Sequence, residues 1–180
     1  APCEVIVPSH HLLELLAPSD FRHLLVCENF AVSHDDYYNR PKRRAGDYSL
    51  VVLWNSNIMA SKGIAELVEG IRLLRCDGLH IKMVLLGKVI GDTEKSTSAM
   101  QCYLEELKQT RWIDVKGIVP PEDVPLFVSE CDVIALPSTY SSECQPLAVI
   151  QGMLCSRALM ITDTPAMRAT VEDYPATFVE

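Results

Sequence analysis

The fold is decided by one stretch, YSLVVLWNSNIMASKGI (residues 48–64), in which an apolar run leads through a polar turn into a helix. Residues 48–54 are apolar apart from Ser49, which is typical of a strand covered on both faces of a parallel sheet. Beyond the turn, Ser61 is placed to cap a helix whose apolar residues recur at helical spacing. These residues are Ile64, Leu67, Val68, Ile71 and Leu74. The stretch therefore predicts a strand, turn and helix unit of an α/β protein.

The same alternation of short apolar runs and helical runs continues to the end of the chain. Further strands are predicted at 81–86, 113–115, 133–136, 159–162 and 176–179. Helices are predicted around 100–107, after 120–123, from 146 to about 155, and from 164. With short connections, this order predicts right-handed crossovers and a doubly wound parallel sheet, a Rossmann-like α/β fold. Because such sheets bind ligands at the carboxyl ends of their strands, the loops there form the candidate site.

Residues 1–47 do not follow this pattern. Short elements are predicted at 4–7, 11–16 and 24–27, and the polar stretch 35–46 contains the basic run RPKRR, residues 40–44. We assign residues 1–47 to the end of a preceding domain plus a linker, and residues 48–180 to the Rossmann-like domain. The basic run is interpreted as a solvated linker, with a phosphate or peripheral anionic-lipid contact as the alternative. Since the chain begins with Ala1 rather than Met, we expect a fragment.

Composition and charge exclude several classes of protein. The 180 residues are 48% hydrophobic and 22% charged, which is typical of a globular chain with a sizeable core. A net charge of -8 argues against nucleic-acid binding, because phosphates need a broad positive field. No apolar run is long enough to span a membrane. The seven cysteines are scattered without a C-x-x-C pair, so we predict no disulfide scaffold, no metal site and a cytoplasmic location.

Two strand-to-helix turns carry the candidate chemistry. Lys62 precedes Gly63 and a helix start, where backbone N–H groups favour an anion and the lysine adds a full charge. In the turn from 137 to 147, Glu143 can accept hydrogen bonds from sugar hydroxyls, and the amides from Cys144 onward face the same space. A surface lysine and a plain acidic helix start are the structural alternatives. Cys144 is predicted to have a lowered thiol pKa, although no histidine partner supports nucleophilic catalysis.

Three stretches resemble the donor-binding half of family 4 glycosyltransferases, which are retaining enzymes of the two-domain GT-B architecture. LWNSNIMASKGI (53–64) resembles the family's strand, polar turn and Lys-Gly helix start. VKGIVPPEDVPLFVSECDVIALPS (115–138) resembles its Gly-x-Val loop, helix and strand, and ECQPLAVIQGM (143–153) resembles its E-x-x-P-L-x-x-x-E-A-M segment. VIVPS (5–9) is similar to the end of its N-terminal domain, so the resemblance spans nearly the whole chain.

The resemblance implies a role for each candidate residue. The catalytic residues would be Lys62, on the donor diphosphate, and Glu143, on hydroxyls of the transferred sugar. Ser56 and Asn57 stand where many members have an arginine, and Gln151 replaces the second acid of E-x7-E, where it would hydrogen-bond a ribose hydroxyl. Cys155-Ser156 replaces the usual small-Gly pair. The other implied binding residues are Cys144, Gln145 and Leu147 through their amides, and Gly117, Ile118 and Val119 against the nucleobase.

The function implied by the resemblance is transfer of a hexose from a UDP- or GDP-sugar, with retention, in carbohydrate biosynthesis. It implies no cofactor, no metal and no covalent nucleophile. The acceptor, a glycan, lipid or small molecule, would bind a missing N-terminal domain, so this chain alone is expected to bind nucleotide but transfer no sugar.

Two alternatives stay open. One is a non-catalytic Rossmann-like module that binds nucleotide or sugar, which Ser56 and Gln151 favour. The other is a sugar-nucleotide epimerase or another Rossmann enzyme. The absence of G-x-G-x-x-G and of a P-loop motif argues against a dinucleotide or P-loop enzyme, and Pro41 interrupts the Tyr-x-x-x-Lys match at 38–42.

Overall fold

A computed structural model describes residues 4–17, 21, 23–31 and 50–180. The strands are β1 (Glu4–Val7), β2 (His23–Val26), β3 (Leu50–Asn55), β4 (Ile81–Leu86), β5 (Ile113–Gly117), β6 (Val133–Leu136), β7 (Ala158–Thr162) and β8 (Ala176–Val179). The helices are α1 (His10–Leu16), α2 (Ile64–Cys76), α3 (Thr97–Lys108), α4 (Val124–Glu130), α5 (Leu147–Leu154) and α6 (Pro165–Val171). Strands β3 to β8 form one parallel sheet in the order β5-β4-β3-β6-β7-β8.

This strand order confirms the predicted doubly wound α/β fold. From β3 the chain winds outward through β4 to β5, then returns to pair β6 with β3, with Leu53 opposite Ile134. It then winds outward in the other direction through β7 to β8. The direction of winding therefore changes between β3 and β6, and folds of this class bind ligands at the carboxyl ends of the strands at such a point.

The apolar character of β3 is explained by cover on both faces of the sheet. Leu53 packs in the core formed with α4, α5 and α6, whereas Trp54 packs in the core formed with α2 and α3. Neither side chain has any exposed surface. Since successive residues of a strand point to opposite faces, a strand buried on both faces is apolar throughout.

The start of α2 differs from its prediction. A single 3-10 turn, Ala60–Lys62, precedes Gly63, which adopts a left-handed φ of 79° and occupies the N-cap position without a side-chain cap. The predicted cap by Ser61 is wrong because this residue lies inside the 3-10 turn. At the far end of the helix Leu74 is 45% exposed, so the buried face stops at Ile71. Most other predicted elements agree with the structure within two residues, and α4 begins at Val124, just after the predicted opening 120–123.

The N-terminal elements form a small unit of their own. Strands β1 and β2 pair in parallel as a two-stranded sheet, and the Ser9 hydroxyl caps α1 by accepting the Leu12 N–H at 3.3 Å. Helix α1 packs against α6. The predicted linker 35–46, with the basic run 40–44, lies outside the described residues, and the division at residue 47 stays a prediction. Among the described helices, none has the length and apolar composition needed to cross a membrane.

Candidate functional site at the centre of the sheet edge

An ion pair between Lys62 and Glu143 joins the loop after β3 to the loop after β6 at the carboxyl end of the sheet. Lys62 Nζ contacts Glu143 Oε2, and the two side chains are 9% and 12% exposed. The same carboxylate oxygen accepts a hydrogen bond from Ser138 Oγ at 2.9 Å. Lys62 Nζ also lies 5.0 Å from the centroid of the Tyr140 ring, within cation–π range. The structure thus brings the two predicted catalytic residues together, and it excludes the alternative that Lys62 is a surface lysine.

The lysine turn (residues 56–63) presents Lys62 on a backbone that is held from two sides. On one side, the Ser61 N–H donates to Asp92 Oδ2 at 2.8 Å. On the other, the Ser61 carbonyl accepts hydrogen bonds from Thr139 N at 2.8 Å and from Thr139 Oγ1 at 3.1 Å. Asp92 belongs to the loop between β4 and α3, and Thr139 follows β6. Three strand ends therefore converge on the residue before the lysine.

Two glycines allow the backbones at this edge to approach so closely. A Cβ atom on Gly63 would lie 2.0 Å from the carbonyl oxygen of Pro137. A Cβ on Gly87, which has φ of 137°, would lie 1.9 Å from the carbonyl oxygen of Ser56. Both positions need a left-handed backbone and an absent side chain, which only glycine supplies without strain. The Lys-Gly pair in the sequence therefore reflects contact between the turn and the β6 end.

The glutamate loop (residues 137–146) is organised around Ser138, which is almost fully buried. Its Oγ accepts the Tyr140 N–H at 3.3 Å, and the Tyr140 carbonyl accepts the Glu143 N–H at 3.0 Å. Pro146 then starts α5 without a side-chain cap. In the described part of the chain, four N–H groups at this helix start donate to no protein acceptor: those of Cys144, Gln145, Leu147 and Ala148. Such groups, together with the helix dipole, favour an anionic ligand.

The thiol of Cys144 does not have the lowered pKa predicted for it. Burial raises its pKa and so does the negative charge of Glu143, while Lys62 acts in the opposite direction. The net pKa is therefore above the ordinary thiol value, and the prediction is wrong. Glu143 is next to Cys144 in the sequence, so its negative charge opposes the lowering of the thiol pKa that a helix N-terminus would cause.

The remaining predicted binding residues lie at the same edge of the sheet, in contacts of their own. Gln151 Oε1 accepts a hydrogen bond from Asn55 Nδ2 at 2.8 Å, so it pairs with the end of β3 and not with Lys62 or Glu143. The Ser56 N–H donates to the Leu86 carbonyl at 3.3 Å, Asn57 is exposed, and Leu147 is half exposed.

The predicted nucleobase loop follows β5. The Gly117 carbonyl accepts the Gly87 N–H at 2.8 Å, which ties the loop to the end of β4. Ile118 is 75% exposed, and Val119 packs on the core. An exposed isoleucine at a strand end offers an apolar surface to a ligand at this edge.

Gln145 joins the site to the N-terminal unit. The Asn29 N–H donates to Gln145 Oε1 at 2.6 Å, and Asn29 Nδ2 donates to the Gln145 carbonyl at 2.8 Å. A cleft of about 190 Å³ lies beside this contact, lined by residues that include Glu28 and Glu172. Within residues 4–17, 21, 23–31 and 50–180, no group of three or more His, Cys, Asp or Glu is placed to hold a metal ion.

The sequence family described as glycosyl transferases group 1 matches residues 49–179, which is well over half of the chain. The chain belongs to the group 1 glycosyltransferases. This assignment confirms the resemblance found in the Lys-Gly, Gly-x-Val and Glu-x-x-Pro-Leu stretches at the level of the group. Among curated proteins, no sequence matches the chain significantly.

Solved structures share the fold of this group 1 glycosyltransferase at low identity. Anabaena HepE in complex with UDP and glucose is 18% identical with a TM-score of 0.69, covering 97% of this chain and 48% of that chain. Sucrose-phosphate synthase from Thermosynechococcus elongatus is 18% identical with a TM-score of 0.71, covering 98% and 45%. The C-terminal domain of the group 1 protein LpcC from Francisella tularensis is 14% identical with a TM-score of 0.55, covering 74% and 68%.

These likenesses confirm the fold as the Rossmann-like half of a GT-B glycosyltransferase. The chain spans about half the length of HepE and of the sucrose-phosphate synthase.

The sequence alone did not reveal the residues that hold the candidate site in shape. Asp92 is 31 residues from the amide it binds, and nothing in the sequence pairs it with Ser61. Thr139, whose N–H and hydroxyl both bind the Ser61 carbonyl, lies in the predicted turn 137–147 but was given no role of its own. The only sequence signal for either residue is its position after a predicted strand.

Proposed function

We propose that this chain is the donor-binding domain of a glycosyltransferase that transfers a sugar from a nucleotide-sugar with retention of configuration. The observation that carries the proposal is the Lys62–Glu143 pair at the carboxyl end of the sheet, next to four N–H groups at the start of α5 that have no acceptor among the described residues. A cation, a carboxylate and free backbone donors are what a glycosyl diphosphate needs for recognition, since it combines an anionic leaving group with a polyhydroxylated sugar.

In the proposed reaction, the protein acts by positioning and by electrostatic stabilisation. Lys62 and the N–H groups of α5 stabilise the negative charge that grows on the departing diphosphate. Glu143 accepts hydrogen bonds from hydroxyls of the transferred sugar. The route uses no metal and no protein nucleophile, so charge neutralisation falls to Lys62 and the backbone.

The donor is proposed to be a UDP- or GDP-sugar. Ile118, exposed beside the anchored Gly117, supplies an apolar surface for the nucleobase. Gln151 is proposed to bind the ribose through its side-chain amide nitrogen, because Asn55 contacts the amide oxygen of the same side chain. Solved structures of HepE hold UDP, and one of them holds UDP-glucose, which supports a uridine nucleotide as the first ligand to test.

Transfer to an acceptor is proposed for the whole enzyme and not for this chain alone. HepE and sucrose-phosphate synthase, which share the fold, are about twice as long as this chain. In a two-domain transferase the reacting atoms meet in a cleft whose closure orients them and excludes water. The chain alone is proposed to bind a nucleoside diphosphate and to transfer no sugar.

A second candidate is a related module that binds nucleotide or sugar without catalysing transfer. Two observations favour it. Ser56 brings no charge to the position after β3, and its backbone N–H and carbonyl are used in contacts with Leu86 and Trp54. Gln151, likewise uncharged, is held by Asn55.

The test is calorimetric titration of UDP, GDP and ADP into the chain, with uridine, guanosine and NAD as comparisons. We expect one nucleoside diphosphate to bind with a dissociation constant of about 1 mM or tighter, and NAD not to bind. Absence of binding for all three diphosphates would overturn the donor-binding proposal. A transfer assay with the whole enzyme then separates the two candidates, because the second predicts binding without turnover.

A further inference from the structure

We propose that Asp92 is a positioning residue of the donor site, which acts through the Ser61 amide to fix the backbone that presents Lys62. The inference rests on the proposed function and deepens it. It assigns a role to the loop between β4 and α3, which sequence reasoning left without one.

The Asp92 carboxylate is itself fixed by its own loop. Oδ1 accepts hydrogen bonds from the N–H groups of Glu94 and Lys95, both at 2.9 Å. The Asp92 N–H donates to the Lys95 carbonyl at 2.9 Å, which closes the turn. Oδ2 is thereby aimed at the Ser61 N–H, 2.8 Å away. Hydrogen bonds to an ionised acceptor are stronger than neutral ones, and these hold the pKa of the carboxyl well below its usual range.

The loop that carries Asp92 is anchored at both of its ends. Before Asp92, Ile58 and Val89 form a parallel bridge, in which the Ile58 N–H donates to the Lys88 carbonyl at 2.8 Å and the Ile90 N–H to the Ile58 carbonyl at 3.1 Å. On the other side, Thr97 Oγ1 accepts the Gly91 N–H at 3.0 Å. The loop therefore runs beside the lysine turn as a fixed support.

Lys62 depends on this support because Asp92 is the acceptor of the Ser61 N–H, and the described residues offer no other anchor on that side. The buried Ser61 hydroxyl lies on the same carboxylate and helps to lower its pKa, so it adds no second anchor. The backbone of Ser61, the residue before Lys62, is fixed by Asp92 at its N–H and by Thr139 at its carbonyl. A displacement of about 1 Å at a binding group is enough to lose part of its contribution.

The test measures UDP and uridine affinity in wild type, Asp92→Ala, Asp92→Asn and the control Glu94→Ala, using GDP and guanosine if guanine is preferred. Glu94 is in the same loop, and its exposed side chain makes none of these bonds. We expect Asp92→Ala to weaken UDP binding about tenfold, with uridine affinity unchanged. Asp92→Asn keeps one acceptor oxygen where three N–H groups, those of Ser61, Glu94 and Lys95, need two, so it should also weaken UDP binding, and Glu94→Ala should match wild type.

A double-mutant cycle with Lys62→Ala gives a readout that a merely structural role would not move. If Asp92 acts through Lys62, then Asp92→Ala has no further effect on UDP affinity once Lys62 is removed. Additive losses, or equal losses of UDP and uridine affinity, would overturn the inference. The inference would also be overturned if Asp92→Ala kept the UDP affinity of the wild type while Lys62→Ala lost affinity. That result would leave the proposed function intact. Failure of the wild type to bind any nucleoside diphosphate overturns both. If Asp92→Ala does not fold, Asp92→Asn is used in the same cycle.

Discussion

The two segments that meet at the site are built in different ways. The lysine turn contacts neighbouring loops along its whole length. Ile58 forms hydrogen bonds with the loop after β4, and Ser61 forms hydrogen bonds with Asp92 and Thr139. Gly63 packs against Pro137. The glutamate loop is held near its start by Ser138 and Thr139 and near its end by Glu143 and Gln145, with an exposed stretch between them. Residues 139–142 are exposed, and the N–H groups from Cys144 to Ala148 donate to no protein acceptor in the described chain.

We expect this difference to give the two segments different roles in ligand binding. A cation on a backbone that is already fixed needs little reorganisation when an anion arrives. A loop with exposed backbone and unused donors has low local stability, and it gains hydrogen bonds only when a ligand supplies the acceptors. We therefore expect the lysine turn to set the position of the diphosphate and the glutamate loop to order around it.

The largest expected effect comes from removing the fixed cation. Lys62→Ala is expected to weaken UDP or GDP binding by roughly 2–4 kcal/mol, the range for truncating one partner of a desolvated charge contact. The affinity for the nucleoside should change much less, because a nucleoside has no phosphate group to contact Lys62. Calorimetric titration measures both. The control is Lys88→Ala, an exposed lysine in the neighbouring loop. Equal diphosphate affinity in Lys62→Ala and wild type would contradict the assignment.

Removing the Glu143 carboxylate tests whether its ion pair with Lys62 also stabilises the fold. Glu143→Gln leaves the buried Lys62 ammonium without its counter-charge, so the free energy of unfolding should fall by roughly 1–3 kcal/mol. Replacing both residues, with Lys62→Met beside Glu143→Gln, should recover part of this loss. Urea unfolding followed by circular dichroism gives the values. An unchanged stability in Glu143→Gln would show that the ion pair contributes nothing to the fold.

The strand-to-helix units were predictable because their residues are buried on both sides of the sheet, as Leu53 and Trp54 show. A strand that is apolar at every residue is buried only when helices cover both faces of the sheet. The site was predictable in part, since Lys62 and Glu143 follow predicted strands. Their burial and mutual contact depend on strand order, which brings together residues 81 positions apart. The Ser61 cap failed because a left-handed glycine and a distant aspartate decide how α2 begins.

A pair of glycine substitutions measures how tightly the lysine turn is packed. Gly63→Ala is expected to destabilise the chain by more than about 1 kcal/mol, because of its φ and because the new Cβ meets the Pro137 carbonyl. Gly70, in the middle of α2, has no atom within 4 Å of an added Cβ. Gly70→Ala should therefore stabilise by about 0.5–1 kcal/mol. Chemical denaturation compares the two, and similar effects of the same sign would refute the close approach at Gly63.

The smallest expected effect concerns the far end of α5, the helix that follows the glutamate loop. Ser156 has φ of 51°, a left-handed backbone that glycine adopts more easily. Ser156→Gly is expected to stabilise the chain by about 0.5–1 kcal/mol, with UDP affinity unchanged. A thermal melt and a single titration suffice. Loss of stability would mean that the Ser156 side chain contributes more than its backbone strain costs.

The near-neutral charge of the Lys62–Glu143 pair also governs how fast a ligand reaches the site. One ammonium and one carboxylate largely cancel, and the chain as a whole carries a net charge of -8. We therefore expect a nucleoside diphosphate to meet long-range repulsion from the net charge of the chain. Salt screens that repulsion over a Debye length of about 10 Å at 0.1 M. Association of UDP should then become faster as ionic strength rises, the reverse of the behaviour of a phosphate site rich in cations.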